Sequence, residues 1–377
     1  MFKSTLSFGF GSAMALVVTF AAPAAHAHTL RYRYVALDQV PLPAPYTVFS
    51  PSVVIVGSVF GTVFDSTFTI ANVAEYRKGT ITVGAAGFAS VANSAGIIGG
   101  SDPSSQAALF KGSVTTLIPR LPGESSASVI GLTEDNLSLV QSTNAAFVNT
   151  FAYFRAGTET VINFGLPDPV FGAFMNEDGL IGVTKEESPT DHFLRGYRYD
   201  PRTATSTLLP PFSGDPTDVL VLVQGINKHG EVLGYSFTNT FGATYHERVG
   251  VWNKAGAFQP YVYETINTNT LVFNDQKQIV ISNSSDGNSY LVPAPGTRLD
   301  LSTLVRNMPA GLNLLLSVSI DNDGNITGFA TDVNFNFFPF LLQPLGQDEG
   351  DPAEVTVRGC KLPDAVAHDL DKRHPHK

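Results

Sequence analysis

The chain has 377 residues, a formal net charge of −10 and only 15% charged residues, whereas hydrophobic residues make up 43%. No cluster of Lys and Arg stands in the body of the chain, which excludes a nucleic-acid binder because such proteins need grouped cations. Cys360 is the only cysteine, so the fold contains no internal disulfide.

The first predicted element is an export signal over residues 1–27. Lys3 gives a positively charged start, residues 6–20 form an apolar stretch, and Ala25-His26-Ala27 places small residues at a cleavage site. The apolar stretch is too short to cross a bilayer. We therefore expect a mature chain that begins near His28, is secreted or periplasmic, and has no transmembrane segment after the leader is removed.

A four-residue turn followed by an apolar strand recurs after the leader. The clearest copy is INKHGEVLGYS at residues 226–236. An Asn at the first turn position bonds the backbone ahead of it, and a Gly at the fourth accepts the left-handed conformation of a hairpin with a G1 bulge. The copies recur at intervals of about 40 to 50 residues, the spacing of propeller blades. Their fourth turn positions are Gly96, Asn136, Gly179, Gly230, Lys277 and Gly324.

The sequence pattern within each unit predicts four strands. The third strands are predicted over residues 107–110, 151–155, 196–199, 249–253, 289–292 and 337–342. Fourth strands are predicted over residues 114–119, 160–164 and 206–209. A seventh unit is predicted around residues 52–58, with Val53 at the fourth turn position and Gly57 in the place that Gly100 and Gly234 occupy in their units.

The two ends of the chain are predicted to complete one blade. The last unit lacks a fourth strand, and residues 30–37 form an alternating strand that has no turn phrase before it. Pairing this strand with residues 338–342 would remove an exposed sheet edge. The prediction is an all-β fold, a single β-propeller of seven four-stranded antiparallel blades (six as the alternative) over residues 28–345, followed by a disordered polar tail over residues 346–377.

The copy at residues 226–236 resembles the probable extracellular HAF-repeat family, whose units read Ile-Asn-x-x-Gly-x-Val-x-Gly-Tyr-Ser, a spacer and His-Ala-Phe. The similarity covers about residues 30–345 and is strongest after residue 174. Three segments stand where that family has His-Ala-Phe, namely residues 107–110, 151–154 and 338–341. The resemblance implies an exported bacterial repeat protein with a propeller fold, and it brings no catalytic residues.

Motifs of nucleophilic, metal-dependent and dinucleotide enzymes are absent from the sequence after the leader: G-x-S-x-G, S-x-x-K, H-E-x-x-H, C-x-x-C and G-x-G-x-x-G. Propeller hydrolases, however, can gather carboxylates from several blades without a local motif. Five acidic residues are candidates for such a role: Asp191, Asp200, Asp215, Asp218 and Glu264. Ordinary solvated loop carboxylates are the alternative explanation for all five.

Metal and cofactor sites are not predicted. Residues 321–325 have oxygen ligands at alternating positions, but Gly324 stands fourth where a calcium loop needs it sixth, so a hairpin turn explains them. His192, His229 and His246 are scattered, and three such residues do not form a zinc signature.

Aromatic side chains offer a further lead, because rings on loops stack on sugars or peptides, although packing between blades also explains them. They are Tyr235, Phe237, Phe241, Tyr245, Trp252, Tyr261 and Tyr263. Residues 203–222, rich in Pro, Gly and Asp, are predicted to form a rim loop.

Together these patterns predict an exported, monomeric, non-catalytic protein that binds a protein or glycan partner through loops of one propeller face. The sequence does not identify the ligand-binding residues. The alternative is a polysaccharide hydrolase or lyase with carboxylates from different blades, and a stable envelope component is a third possibility.

Overall fold

The computed structural model describes residues 30–155, 157–162, 170–186, 193–214, 218–238, 247–262, 268–283 and 286–346. Within these ranges the chain forms twenty-nine strands, a short 3-10 helix at Leu37–Gln39 and one four-residue helix, α1 (Leu301–Leu304). The predicted leader and almost all of the predicted tail lie outside the described residues. Among the described ranges, no helix has the length and apolar character that crossing a bilayer requires.

The strands form seven antiparallel sheets, which we call blades 1 to 7 in chain order. Blade 1 contains β2 (Tyr46–Ile55), β3 (Ser58–Asp65), β4 (Ala71–Arg77) and β5 (Thr80–Ala86). Blade 2 contains β6 (Phe88–Ala92), β7 (Ile98–Ser101), β8 (Ala107–Lys111) and β9 (Val114–Leu117). Blade 3 contains β10 (Glu124–Leu132), β11 (Ser138–Asn144), β12 (Asn149–Arg155) and β13 (Thr158–Val161). Blade 4 contains β14 (Val170–Met175), β15 (Ile181–Glu186), β16 (Leu194–Asp200) and β17 (Thr205–Leu209). Blade 5 contains β18 (Asp218–Ile226), β19 (Val232–Thr238), β20 (Glu247–Trp252) and β21 (Phe258–Val262). Blade 6 contains β22 (Thr268–Phe273), β23 (Ile279–Asn283), β24 (Ser289–Ala294) and β25 (Thr297–Asp300). Blade 7 contains β27 (Asn313–Ile320), β28 (Ile326–Thr331), β29 (Phe337–Pro344) and β1 (Tyr32–Ala36), with β26 (Val305–Arg306) at its edge.

The first strands of the blades surround a common axis. Each packs against the first strands of the two neighbouring blades, in the ring order β2, β6, β10, β14, β18, β22, β27 and back to β2. The structure is therefore a closed seven-bladed β-propeller, as the repeat predicted. We call the first strand of each blade inner and the fourth outer.

The ring is closed by the first strand in the chain. β1 pairs antiparallel with β29, with Tyr32 opposite Pro344 and Ala36 opposite Phe340. The guanidinium of Arg33 donates to Oε1 of Gln343 at 2.7 Å. This confirms the predicted docking of residues 30–37 beside residues 338–342. β26 then pairs with β1 in parallel and covers its outer edge.

Burial decreases from the second strand of a blade to its outer strand. In blade 5 every residue of β19 is buried, because both faces of this strand pack against neighbouring blades. In blade 2 all four residues of the outer strand β9 are exposed. This gradient explains why a second strand such as β19 is almost continuously apolar, whereas the outer strands β9, β13 and β17 are rich in Thr.

Most of the aromatic residues singled out from the sequence belong to this packing. Tyr235, Phe237, Trp252 and Tyr261 are buried, with Trp252 wholly inaccessible. They lie in two clusters that join blade 5 to blades 4 and 6. This confirms the core interpretation for these four side chains, while Phe241, Tyr245 and Tyr263 lie outside the described residues.

Bulges in the inner strands are matched by glycines in the second strands. At Gly328 an added Cβ would lie only 1.9 Å from the carbonyl oxygen of Leu316, and at Gly234 it would lie 2.1 Å from that of Leu222. Gly61 and Gly100 have the same relationship to Ser50 and Phe88. Glycine is therefore required at these four second-strand positions by the close approach of the backbone at a bulge.

Hydroxyl groups of the preceding blade bind N–H groups at these bulges. Thr62 accepts from the N–H of Ala89 at 3.0 Å, and Ser282 accepts from the N–H of Ser317 at 2.8 Å. Both N–H groups belong to inner-strand residues next to a register shift. Because a bulge disrupts the ladder locally, these bonds satisfy buried donors and also join adjacent blades.

The prediction for the first unit was wrong in register. The turn joining β2 to β3 lies at Val56-Gly57, with Ile55 paired to Ser58, so residues 52–55 belong to the inner strand. Val56 and Gly57 both have positive φ, 49° and 71°, as a two-residue type I′ hairpin requires. Gly61, not Gly57, is the counterpart of Gly100 and Gly234.

The third-strand predictions all fall on observed strands, and the fourth-strand predictions fall on β9, β13 and β17 with shifted ends. The prediction of a rim loop over residues 203–222 is not supported by its described part. Residues 205–209 form β17, and Trp252 donates its indole N–H to the carbonyl of Pro210 at 2.7 Å. The ring of Phe212 packs against Phe258 at 5.9 Å. The described part of this segment is therefore packed against blade 5.

Candidate functional site

The repeated turn phrases form the hairpins between the inner and second strands, which we call the inner hairpins. In blade 5 the N–H of Gly230 donates to the carbonyl of Asn227 at 2.9 Å, and Oδ1 of Asn227 accepts from the N–H of Glu231 at 3.0 Å. The weaker copies adopt the same turn, with Asn136 and Lys277 at φ values of 64° and 62°. The predicted turn chemistry is thus confirmed in all six copies.

In three of the inner hairpins the first-position Asn has a second role that its sequence position alone does not indicate. Its amide group reaches across to the inner hairpin of the following blade and donates to the first-position carbonyl there. These bonds run from Asn93 to Thr133 at 3.2 Å, from Asn176 to Asn227 at 2.7 Å and from Asn274 to Asp321 at 3.0 Å. The inner hairpins are therefore linked to one another around the axis.

The second turn position of every blade points into one cavity of about 440 Å³ at the end of the central axis, which we call the mouth. Because the hairpins are held in register by the ring, one residue from each blade reaches it. In blade order these residues are Val56, Ser94, Glu134, Glu177, Lys228, Asp275 and Asn322.

Two of the three carboxylates in this ring are engaged by their neighbours. Glu134 accepts from the N–H and the hydroxyl of Ser94 at 2.9 and 2.6 Å. Asp275 accepts from the N–H of Lys228 at 3.0 Å, pairs with its ammonium at 3.1 Å and accepts from the amide of Asn322. Asp321 and Asp323 also line the cavity, so the mouth is predominantly acidic.

Glu177 is the carboxylate of the ring that has no hydrogen bond or ion pair within the described part of the chain. Partial burial raises its pKa, as do the negative charges of Asp275, Glu134 and Asp178, while Lys228 acts in the opposite direction. Desolvation and like charges both disfavour the ionised form. A cationic group entering the mouth would relieve this unfavourable environment.

The carboxylates singled out from the sequence are not brought together. Asp200 is the last residue of β16 and is bonded to Arg202 at 3.0 Å, whereas Asp218 is buried at the start of β18 and bonded to Ser236 and Arg248. Asp191, Asp215 and Glu264 lie outside the described residues. The described positions therefore give the hydrolase alternative no support.

Residues 321–325 form the inner hairpin of blade 7, as predicted. Oδ1 of Asp321 accepts from the N–H groups of Asp323 and Asn325, and Oδ2 accepts from the N–H of Gly57 at 3.0 Å. Across the ranges that the structure describes, no three His, Cys, Asp or Glu side chains are grouped so as to hold a metal ion. His229 lies in the fifth inner hairpin, and His192 and His246 are not described.

Sequence reasoning treated Glu134, Glu177 and Asp275 only as turn residues. The signal that could have identified them is their shared second position in the repeat, because equivalent positions of a closed ring converge on the axis.

The geometry defines a closed seven-bladed propeller with an acidic mouth. Among solved structures, the β-propeller domain of the Trilobed protease from Pyrococcus furiosus, described as having an open velcro topology, is similar with a TM-score of 0.51 and 11% identity, over 80% of this chain and 98% of that one. TolB from Acinetobacter baumannii has a TM-score of 0.42 and 10% identity, with 77% of this chain and 64% of the TolB chain covered. YCF48 bound to D1 peptide has a TM-score of 0.44 and 10% identity, with 85% of this chain and 97% of the YCF48 chain covered. This chain thus spans somewhat less than two thirds of the TolB chain. At such identities the similarity shows the propeller fold alone.

No family model matches the chain, and no curated protein sequence matches it.

Proposed function

We propose that this chain is an exported, non-catalytic binding propeller that holds a protein or glycan partner at the face formed by the inner hairpins. Membership of the HAF-repeat family, a secreted or periplasmic location and a monomeric state belong to the same proposal. The observation that carries it is the mouth, where seven different side chains converge on one cavity and Glu177 lacks a partner.

The composition of the mouth favours a cationic partner. Glu134, Glu177 and Asp275 face the cavity with Lys228 as the one cation at the second turn positions. Opposite charges across an interface steer association and fix orientation. A protein segment with Lys or Arg side chains satisfies this requirement better than a neutral glycan does.

The bonding of the mouth favours recognition over catalysis. Glu134 and Asp275 are held by backbone and side-chain donors, which fixes them as rigid acceptors. Hydrolysis of a glycosidic bond needs one carboxylic acid and one free carboxylate on opposite sides of the bond. Glu177 alone has the character of an unengaged acid.

The test is capture of partners from a native envelope extract, together with a glycan array, by the wild-type chain and two variants. Glu177→Lys reverses the charge of the unpaired group, whereas Asp178→Lys makes the same change one residue further along the turn, outside the cavity lining. We expect Glu177→Lys to lose the partner and Asp178→Lys to retain it. Equal capture by both variants, or turnover of a bound glycan, would contradict the proposal.

Added salt provides an independent measurement. Because screening shortens the reach of exposed charges to about 8 Å at physiological ionic strength, binding through the mouth should weaken as salt increases. Salt-independent capture would argue against a cationic partner.

A further inference from the structure

The face opposite the mouth has a second feature, a set of hairpins between the second and third strands that we call the outer hairpins. In blades 7, 1, 2 and 3, which are consecutive around the ring, these hairpins repeat the turn geometry of the inner hairpins. Asp332, Asp65, Asp102 and Asn144 occupy the first position, and each accepts backbone N–H bonds from the residues ahead of it.

The fourth position of these turns carries an unexpected residue type. Here the backbone is left-handed, and the inner hairpins use Gly, Asn or Lys at the equivalent place. Three of the four outer hairpins instead have phenylalanine, namely Phe68, Phe147 and Phe335 at φ values of 57°, 60° and 61°. A bulky residue rarely adopts this conformation, and such outliers tend to mark functional positions.

Internal packing does not explain these rings. Phe68, Phe147 and Phe335 are 66%, 87% and 76% exposed. Phe68 stacks loosely on Phe64 at 5.5 Å, but the described residues give Phe147 and Phe335 no ring contact. Further exposed apolar side chains stand beside them, and the three rings together with these neighbours form what we call the aromatic rim. The neighbours are Ile70, Val148, Val333 and Phe337.

The charge of the aromatic rim restricts what can cover it. Its hairpin loops contain no Lys or Arg, and the carboxylates of Asp65, Asp102 and Asp332 are occupied by N–H and hydroxyl donors. Arg120 contacts the carbonyl of Ser104 in blade 2, the one hairpin of the four without an aromatic tip. The described charged side chains at the same ends of the strands in blades 4 and 5 include Lys185, Glu186, Arg195, Asp218 and Arg248. The described hairpins of the rim therefore carry carboxylates but no cations, so this sector of the face does not attract an anionic surface.

The arrangement of the three phenylalanine rings further restricts what can cover the aromatic rim. The three rings stand on separate blades and line none of the cavities described for the molecule. A ligand that fills one groove cannot contact all three, whereas a broad, flat surface can. Apolar rings surrounded by Thr, Ser, Asn and Asp match an interface of acyl chains and zwitterionic headgroups, whose ammonium groups are compatible with the carboxylates of the rim.

We infer that the aromatic rim docks this propeller onto a lipid bilayer with zwitterionic headgroups, leaving the acidic mouth directed away from the membrane. The inference concerns a surface separate from the mouth and does not depend on the partner proposed there. Because the chain carries a net charge of −10 and the rim has no cations, an anionic bilayer should bind it less well than a neutral one.

The experiment measures co-sedimentation of the full chain with sucrose-loaded vesicles of phosphatidylcholine, with and without phosphatidylserine. The test variant combines Phe68→Gly, Phe147→Gly and Phe335→Gly. Glycine adopts the left-handed conformation without strain, so this variant should fold with a thermal midpoint at or above that of the wild type. The control, Leu208→Ala, removes an apolar side chain that is 51% exposed on the outer strand of blade 4, outside both the aromatic rim and the lining of the mouth.

We expect the wild type and Leu208→Ala to bind phosphatidylcholine vesicles equally. The triple variant should bind at least about a hundredfold more weakly, because partial burial of each ring is worth on the order of a factor of ten. A direct readout is Phe147→Trp, whose fluorescence brominated phosphatidylcholine should quench, whereas Trp252, the only natural tryptophan, is buried and should be unaffected.

Three results would overturn the inference: no sedimentation of the wild type with phosphatidylcholine, equal binding by the triple variant, or binding that requires phosphatidylserine. If the wild type ignores vesicles while the triple variant alone loses a protein captured from an envelope extract, the rim binds a protein and the bilayer is excluded.

Discussion

The hydroxyl of Thr184 in blade 4 accepts a hydrogen bond from the backbone N–H of Val223, in the inner strand of blade 5, at 2.8 Å. Both groups are buried, and Val223 stands beside a register shift in its strand. Thr62 and Ser282 make the same contact at other blade boundaries. Cohesion between blades thus depends on single hydroxyls as well as on apolar area.

Replacing Thr184 with Val should therefore destabilise the protein by about 1–3 kcal/mol, because the shape is retained while a buried N–H loses its acceptor. The measurement is the free energy of unfolding from urea titration. Thr82→Val, at an exposed position of β5, is the matched control and should change it by no more than about 0.5 kcal/mol. Equal effects of the two substitutions would refute this role for the hydroxyl.

Gly328→Ala should be more damaging, since its Cβ would lie 1.9 Å from the carbonyl oxygen of Leu316 and the inner strand would have to move. We expect a loss of about 3 kcal/mol or more, seen as a lower thermal midpoint. Gly172→Ala is the control, because a Cβ there meets only Phe174, at 4.0 Å. Similar midpoints for the two variants would show that the bulge does not require glycine.

The link between inner hairpins can be separated from the turn itself. Asn176→Asp keeps the acceptor that bonds the N–H of Leu180 but removes the donor to the carbonyl of Asn227. A cost of about 1–3 kcal/mol in unfolding free energy is expected at pH 7, because a buried carbonyl loses its partner.

Asn253→Asp is its control, since Asn253 has the same turn role but bonds only within its own exposed hairpin. It should change stability by no more than about 0.5 kcal/mol. If both substitutions have this small effect, the bonds between hairpins do not contribute to stability.

Glu177 should make stability depend on pH in a definite direction. Its pKa is raised in the folded state, so between the ordinary value of 4.5 and the raised value the folded protein binds more protons than the unfolded chain. The contribution of Glu177 to stability should fall as pH rises through this window, so the wild type should lose stability relative to Glu177→Gln, and the variant should be the more stable of the two at pH 7. Urea midpoints measured from pH 4 to 8 test this, with Asp38→Asn as control because Asp38 is not among the charges that act on Glu177. Superimposable profiles for Glu177→Gln and the wild type would contradict it.

The sequence predicted the ring well where local chemistry determines backbone geometry. Asn227 and Gly230 specify a hairpin on their own, so six inner hairpins and the closing strand were placed correctly. The first unit failed because a Val-Gly turn has no Asn to mark it. Gly57 was then read as a strand glycine, although Gly61 fills that role.

The two candidate surfaces were not predictable in the same way. Glu177 becomes part of a site only because seven hairpins meet at the axis, which is a property of the closed ring. Phe68, Phe147 and Phe335 follow turn-forming residues, but phenylalanine is not a recognised signal for positive φ. Both surfaces depend on tertiary arrangement, which the spacing of the repeat indicates only in outline.

The pairing of β1 with β29 also determines how the molecule must assemble. Arg33 and Gln343 are 310 residues apart, so β1 cannot pair during synthesis until β29 has been made. Until they meet, the unpaired edge of β29 is open to association with other chains, and such distant pairings form slowly. A chaperone that shields this edge during biogenesis would therefore act on a single, identifiable strand.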